Sequence, residues 1–285
     1  MAVEDEVARQ FTGLFATLRA SMVQQLFAIW FSLGSYRDLD VPNFLDMSMP
    51  LVTAAQETSA QATFTYIQMQ LELAGVDSEM DLPPLGDITG PNLRNGTPPE
   101  VVYTRPFKEV WTALKNGYSF DDAIRMGSDR LRQLVETDIQ LAHTHAARNA
   151  FSRRTDIAGF RRVPTGDYTC ALCMIASTQR YRSFDLMPIH PGCDCRVAPI
   201  TNKDTIQRVD KETLERIHQS IEKQFGMSAR DAREIDYRKI LLVENHGEYG
   251  PTLTVAKHKF TGPNDLSAAS KEAGSWSDNL SLVSA

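Results

Sequence analysis

The sequence has no lysine before Lys108, and its first hundred residues hold only four arginines: Arg9, Arg19, Arg37 and Arg94. Acidic side chains dominate that half. The whole chain carries a formal net charge of only -6, without the basic excess that wholesale coating of nucleic acid requires. Long apolar runs are also missing. The most apolar stretch, residues 26–33, is too short to cross a bilayer, and Gln24 and Gln25 precede it. Glu4, Asp5 and Glu6 stand where an export signal would place positive charge. The expectation is a protein made and kept in a reducing cytosol, with no membrane partner. No P-loop, Gly-x-Ser-x-Gly, His-Glu-x-x-His or dinucleotide fingerprint occurs, so no common catalytic scaffold is indicated.

Cysteine is scarce too: there are four, and none lies outside residues 170–195. In a reducing compartment these are thiols or metal ligands rather than structural disulfides. The order is Cys170-x2-Cys173, then sixteen residues, then His190-Pro191-Gly192-Cys193-Asp194-Cys195. A Cys-x2-Cys turn aims two thiolates at one point, and a second ligand pair across a loop completes a tetrahedron. Five side chains compete for four places. Cys170, Cys173 and Cys193 are common to both sets, with either His190 or Cys195 as the fourth. The expected metal is zinc, which would tie together a segment with little to bury. The competing reading is a cluster of packed thiols with His190 as a turn residue.

The first half of the chain reads as helical. Phe11, Leu14, Leu18, Met22, Leu26, Ile29 and Leu33 recur at steps of three and four, giving one apolar face that stops near Gly34. A second helix is expected over 50–74, opened by Pro50 and closed by Gly75. Its small residues, from Ala54 to Ala62, suit close packing on a neighbour. Residues 76–105, dense in Pro and Gly, form a loop or linker. A short helix follows over 106–116. Ser119 then caps a helix reaching Phe151, with Asp121 and Asp122 in its first turn and Gly127 as a weak point. Beyond it a strand is expected over 157–163, helical turns over 170–177 and a helix over 204–225. A hairpin of 240–243 with 253–255 would enclose His246-Gly247-Glu248-Tyr249-Gly250-Pro251, and a disordered tail follows from Thr261. Asp129 and Asp138 read as polarity on a helix surface. His143 and His145 diverge on their helix and so share no metal. The fold class is mainly α with a small α+β module. Its regions are a helical 1–75, a linker 76–105, a module 106–260 holding the Cys/His knuckle, and a tail 261–285.

One stretch reverses the acidic trend. Between residues 148 and 182 seven arginines face only Asp156 and Asp167. Arg148, Arg153, Arg154, Arg161 and Arg162 form its dense part, a candidate contact for DNA phosphates or an acidic partner. A solvated face explains the same residues equally well.

The run Asp167-Tyr168-Thr169-Cys170-Ala171-Leu172-Cys173 with His190-Pro191-Gly192-Cys193-Asp194-Cys195-Arg196 resembles the signature of the phage Mu F-like head morphogenesis family. There a Cys-x2-Cys element precedes a His-Pro-x-Cys-x-Cys element at about this distance. The resemblance covers roughly residues 107–199, and the 246–251 segment is similar to the tails of such proteins from phages of actinobacteria. It implies a minor capsid protein of the virion head interior, associated with portal, capsid or scaffold proteins and with packaged DNA. Its role would lie in procapsid assembly or genome delivery, with host cytoplasm as the site of assembly. The rivals are a capsid maturation protease, which needs an activated nucleophile and base in contact, and a DNA-binding ejection protein.

Overall fold

The computed structural model describes residues 3–163, 176–177, 180–181, 195–201 and 241–255. Five helices and five strands lie among them. The first helix, α1 (Val3–Ser32), is continuous as its periodicity requires. The buried stripe is rotated from the one expected. Phe15, Met22, Leu26, Ile29, Trp30 and Leu33 are buried, whereas Leu14 is 52% exposed. By length and hydropathy alone, 1.2 over its best window, α1 is apolar enough to span a membrane, which the shorter run 26–33 concealed. That stripe packs against α2 and α5, and 22% of the apolar window is buried.

The second helix, α2 (Asp40–Leu73), begins ten residues earlier than expected and contains Pro50 in its interior. Its start is tied by Asp40, whose Oδ2 accepts from Ser35 Oγ at 2.7 Å and from the Arg37 backbone N–H at 3.1 Å. Those contacts, together with packing of the buried face along the whole helix, offset the cost of Pro50. Its C-terminus is as expected. Gly75 sits at φ 65, its N–H donates to Glu72 O, and the Val76 N–H reaches Leu71 O, closing a Schellman motif.

Residues 76–105 are packed on the bundle. Two 3-10 turns, Leu85–Asp87 and Gly90–Arg94, and a single α-turn, α3 (Pro99–Tyr103), bring Leu93, Arg94, Val102 and Tyr103 into the interior. Helix α4 (Arg105–Lys115) and helix α5 (Phe120–Ser152) follow within a residue of expectation. Ser119 caps α5, its Oγ accepting from the Asp122 N–H at 3.1 Å. Helix α5 is the spine, packing on α1, α2 and α4.

Gly127 does not weaken α5; it permits the α4–α5 crossing. A Cβ there would lie 2.7 Å from Val110 Cγ2, 2.8 Å from Trp30 Cζ2 and 3.0 Å from the Pro106 carbonyl. Around that crossing Trp30 meets Phe107 at 4.9 Å and Phe44 at 5.6 Å between ring centroids.

Strand β1 (Ile157–Val163) forms as expected. It is the centre of an antiparallel sheet, flanked by the two-residue β2 (Arg180–Tyr181) and by β3 (Arg196–Thr201), a strand the sequence did not announce. Phe160 of β1 stacks on Tyr181 at 4.9 Å and joins the sheet to the lower bundle core through Phe151. Strands β4 (Leu241–His246) and β5 (Gly250–Val255) make the expected hairpin. The expected helix 204–225, the tail from Thr261 and most of the turns at 170–177 lie outside the described residues.

Gly127→Ala is expected to lower stability by about 1–3 kcal/mol through overpacking, against the gain of about 1 kcal/mol that alanine offers in an open helix. Urea denaturation reads the difference. A variant more stable than the parent would mean that α4 and α5 are not in contact at this level.

Candidate functional site: a buried ion network under the 246–250 turn

The most enclosed charge among the described residues is Arg94, 2% exposed at the end of a Pro/Gly-rich turn. Its guanidinium meets Asp138 of α5, Nε at 2.6 Å and Nη2 at 2.5 Å from Oδ1. Nη2 also donates to the Leu134 carbonyl at 3.3 Å. The other carboxylate oxygen of Asp138 accepts from the Tyr103 hydroxyl at 3.0 Å and from Gln56 Nε2 at 3.1 Å. Gln56 Oε1 in turn accepts from the Gly90 N–H at 3.0 Å, so one side chain holds both α5 and the turn that carries Arg94. Burial and then Asp138 push the Tyr103 phenol well above 10.0, which keeps it a donor. Burial alone would lower Arg94, but Asp138 overrides it and the guanidinium stays charged.

A second carboxylate comes from the distant hairpin. Glu248 accepts from Arg105 Nη1 at 2.9 Å and Arg94 Nη1 at 3.4 Å, and its second oxygen accepts from Arg105 Nη2. The fork-to-fork pairing with Arg105, helped by Arg94, holds Glu248 below its ordinary value despite partial burial. The turn is shaped for this. His246 Nδ1 accepts from the backbone N–H groups of Glu248 at 3.2 Å and Tyr249 at 3.3 Å. His246 stacks on Tyr249 at 4.4 Å, and the Arg94 guanidinium lies 5.2 Å from the Tyr249 ring. Burial lowers His246, which favours the neutral ring whose Nδ1 is free to accept. Asn95, at φ 53, donates to the Gly247 carbonyl at 2.7 Å, and Tyr249 packs on Leu93, Leu141 and Ala142. Both carboxylates, Asp138 and Glu248, have each oxygen engaged by other protein groups among the described residues. The arrangement clamps a hairpin to a bundle.

A polar seam continues along α5. Ser59 Oγ donates to the Ile139 carbonyl at 2.7 Å, and Thr63 Oγ1 donates to the Ser59 carbonyl at 2.7 Å. With its proton so used, Thr63 accepts from His143 Nδ1 at 2.9 Å, which assigns the Nδ1–H tautomer. His143 is thus a core residue edge-on to Phe15, whereas burial and then Arg148 lower His145 to about 4. Asp138 corrects the expectation of surface polarity: it is buried, while Asp129 is exposed. The periodicity could have shown this, since Leu131, Leu134, Val135 and Asp138 share one helical face.

Of the five Cys/His candidates, Cys170, Cys173, His190 and Cys193 lie outside the described residues. Cys195 is described: it is buried at the start of β3, where Arg162 Nη1 of β1 lies 2.7 Å from its Sγ. Among the described residues no three His, Cys, Asp or Glu side chains form a metal-sized group. The arginines of the basic stretch stand in different surroundings. Arg162 is buried; Arg154 grips Asp156 and the carbonyls of Asp77 and Glu79; Arg148 and Arg161 are half-buried; Arg153 is exposed. Arg196 of β3 is also buried, its guanidinium 4.0 Å from the centre of the Phe15 ring.

The fold thus defines a mainly helical protein with a small antiparallel sheet and a clamped hairpin. Residues 100–221 match the family model described as VG15 protein, a family of phage or viral gene products. The match spans less than half of the chain. It takes in α4, α5, the three-stranded sheet and the whole Cys/His window. No curated protein and no solved structure matches the chain.

Asp138→Ala, which strands the Arg94 charge, is expected to cost about 3–5 kcal/mol. Glu248→Gln, nearer the surface, should cost about 1–2 kcal/mol and speed amide exchange in β4 and β5 first. Both His246 and Glu248 have lowered native values, so their contributions are present above the ordinary values of 6.5 and 4.5 and are lost as pH falls. Hairpin protection should therefore weaken on acidification, through His246 first and Glu248 later, while the α2–α5 amides stay protected. Hairpin amides that exchange at the parent rate in Glu248→Gln would remove the clamp from consideration.

Proposed function

We propose that this chain is a phage minor head protein that works at the portal and the inner face of the head, in procapsid assembly or genome delivery, and not as an enzyme. The observation that carries the reading is the overlap of two sequence signals. The similarity to a phage or viral protein family spans residues 100–221. Inside that span lies the paired Cys-x2-Cys and His-Pro-Gly-Cys-Asp-Cys pattern that resembles Mu F-like head proteins. The clamp adds a physical argument for a structural part, because Arg94 and Arg105 are joined to Glu248 across more than 140 residues of chain.

The test is co-expression with the portal, scaffold and major capsid proteins of the same phage, followed by purification of procapsids. The protein is expected in procapsids at low copy number and missing from those assembled without portal. Incorporation independent of portal, or none at all, would defeat the reading. Cleavage of scaffold that one point mutation abolishes would favour the protease instead. The exposed Arg153 is proposed as part of the contact with DNA or an acidic partner. Arg153→Glu should then lower salt-sensitive association, and unaltered assembly and DNA retention would return it to an ordinary solvated face.

Zinc belongs to the same proposal, held by Cys170, Cys173 and Cys193 with His190 or Cys195. Chelation or acid should release it, and Cys173→Ser should loosen the sheet while leaving α1 to α5 folded. Elemental analysis of protein purified without added metal is expected to give one zinc per chain. Substoichiometric zinc with freely reactive thiols would leave a reduced thiol cluster in its place.

A further inference from the structure

A groove of about 500 Å³ opens between the C-terminal half of α1 and the N-terminal half of α5. Its apolar lining is Phe27, Phe31, Tyr36 and Ile124. Phe31 is 58% exposed, and Phe120, 47% exposed, continues the patch through its edge contact with Tyr36. The wall supplied by α1 is without charge, because no ionisable acid or base occurs between Arg19 and Arg37 except the phenol of Tyr36. All charges lining the groove stand on α5: Asp121, Arg125, Asp129 and Arg132.

The order of those four charges selects an occupant. At steps of four, four and three residues they fall on one stripe of the helix, with signs minus, plus, minus, plus. Read in the opposite direction the same stripe is plus, minus, plus, minus. A second copy of α5 laid antiparallel therefore sets Asp121 against Arg132 and Arg125 against Asp129, each twice. The midpoint of 121 and 132 falls between Met126 and Gly127, and the midpoint of 125 and 129 falls on Gly127, so both pairs share one twofold axis to within half a residue. A parallel copy in register would oppose like charges. Near the axis the lining residue is Ser128, small enough for two helices to approach. The present partners are no obstacle. Arg125 pairs with Asp122 at 2.7 Å, and Arg132 with Asp129 at 3.3 Å and Glu136 at 3.8 Å; Glu136 is 29% exposed and the other four side chains at least 43%. Exposed pairs of this kind contribute about 0–1 kcal/mol and exchange partners readily.

We propose that this groove is the interface of a twofold homodimer in which two α5 helices pair antiparallel at the level of Gly127, covering Phe31 of both copies. An isologous contact of this type needs self-complementarity and nothing else. The dimer stands independently of the role at the portal.

Sedimentation of the full chain tests it with two single variants, Arg125→Glu and Asp129→Arg. Each homodimer of a variant carries two like-charge contacts, so each should dissociate about tenfold more readily at low salt. An equal mixture of the two restores every opposite-charge contact and should dimerise as tightly as the parent. The double variant should do the same. Both positions are exposed, and unchanged thermal unfolding of the monomers checks that folding is intact. A parent chain that stays monomeric at about 100 micromolar, single variants as tight as the parent, or a mixture that fails to recover would each overturn the dimer. A monomer that binds portal through this groove would assign the surface to a different occupant and overturn it equally.

Discussion

The Arg94–Asp138 pair is the contact on which the rest of the described structure depends. A guanidinium and a carboxylate this deep are favourable only when every remaining donor and lone pair finds a partner. Meeting that demand recruits Tyr103 from α3, Gln56 from α2, the Leu134 carbonyl from α5 and Glu248 from the hairpin. Each recruit belongs to a different element. The pair therefore sets where the 76–105 segment lies, how deep α2 sits against α5, and where the hairpin docks. Hydrophobic burial supplies most of the driving force, but it has no direction. The ion network supplies the register.

Helix α5 is the element through which these demands meet. One flank carries Asp138, Ile139 and His143 toward the polar residues of α2. Another presents Gly127 to Trp30 and α4, where the absence of a Cβ sets the interhelical distance. A third faces water with the alternating charges of the groove. Its C-terminal end passes through Phe151 into the stacked rings of Phe160 and Tyr181, which couple the sheet to the bundle. The sheet in turn places Cys195 beside Arg162, so the end of the Cys/His segment is anchored to the helical core through β1 and β3.

Helices α1, α4 and α5, strand β1 and the hairpin were legible because periodicity, Ser119, Gly75 and turn residues report local preference directly. The start of α2 was misread because Pro50 is a strong local signal for a first turn, and it was overridden by Asp40 contacts and by packing along the whole helix. The direction of the α1 face was misjudged by part of a turn, since Leu14 and Phe15 are equally apolar and only the neighbours choose between them. Gly127 was visible as a glycine and as a helix cost, but the close approach that requires it lies in another helix. Of the candidate site, the 246–251 turn is legible from its own residues. The roles of its partners are not, because Arg94 sits in a stretch that reads as a linker and Asp138 in a helix where an acid is ordinarily solvated.

By itself the sequence determined the helical class, the position of the Cys/His window, the uneven charge and the 246–250 turn, all of which follow from residues near one another in the chain. Tertiary structure alone decided that an arginine of a Pro/Gly-rich loop, an aspartate mid-helix and a glutamate at a hairpin tip belong to one network. The physical reason is that the energy of a charge depends on what surrounds it. The same Asp is nearly neutral to stability in water and decisive when desolvated beside a guanidinium. Local pattern registers that a charge is present. Only the packing of distant segments determines whether water still reaches it.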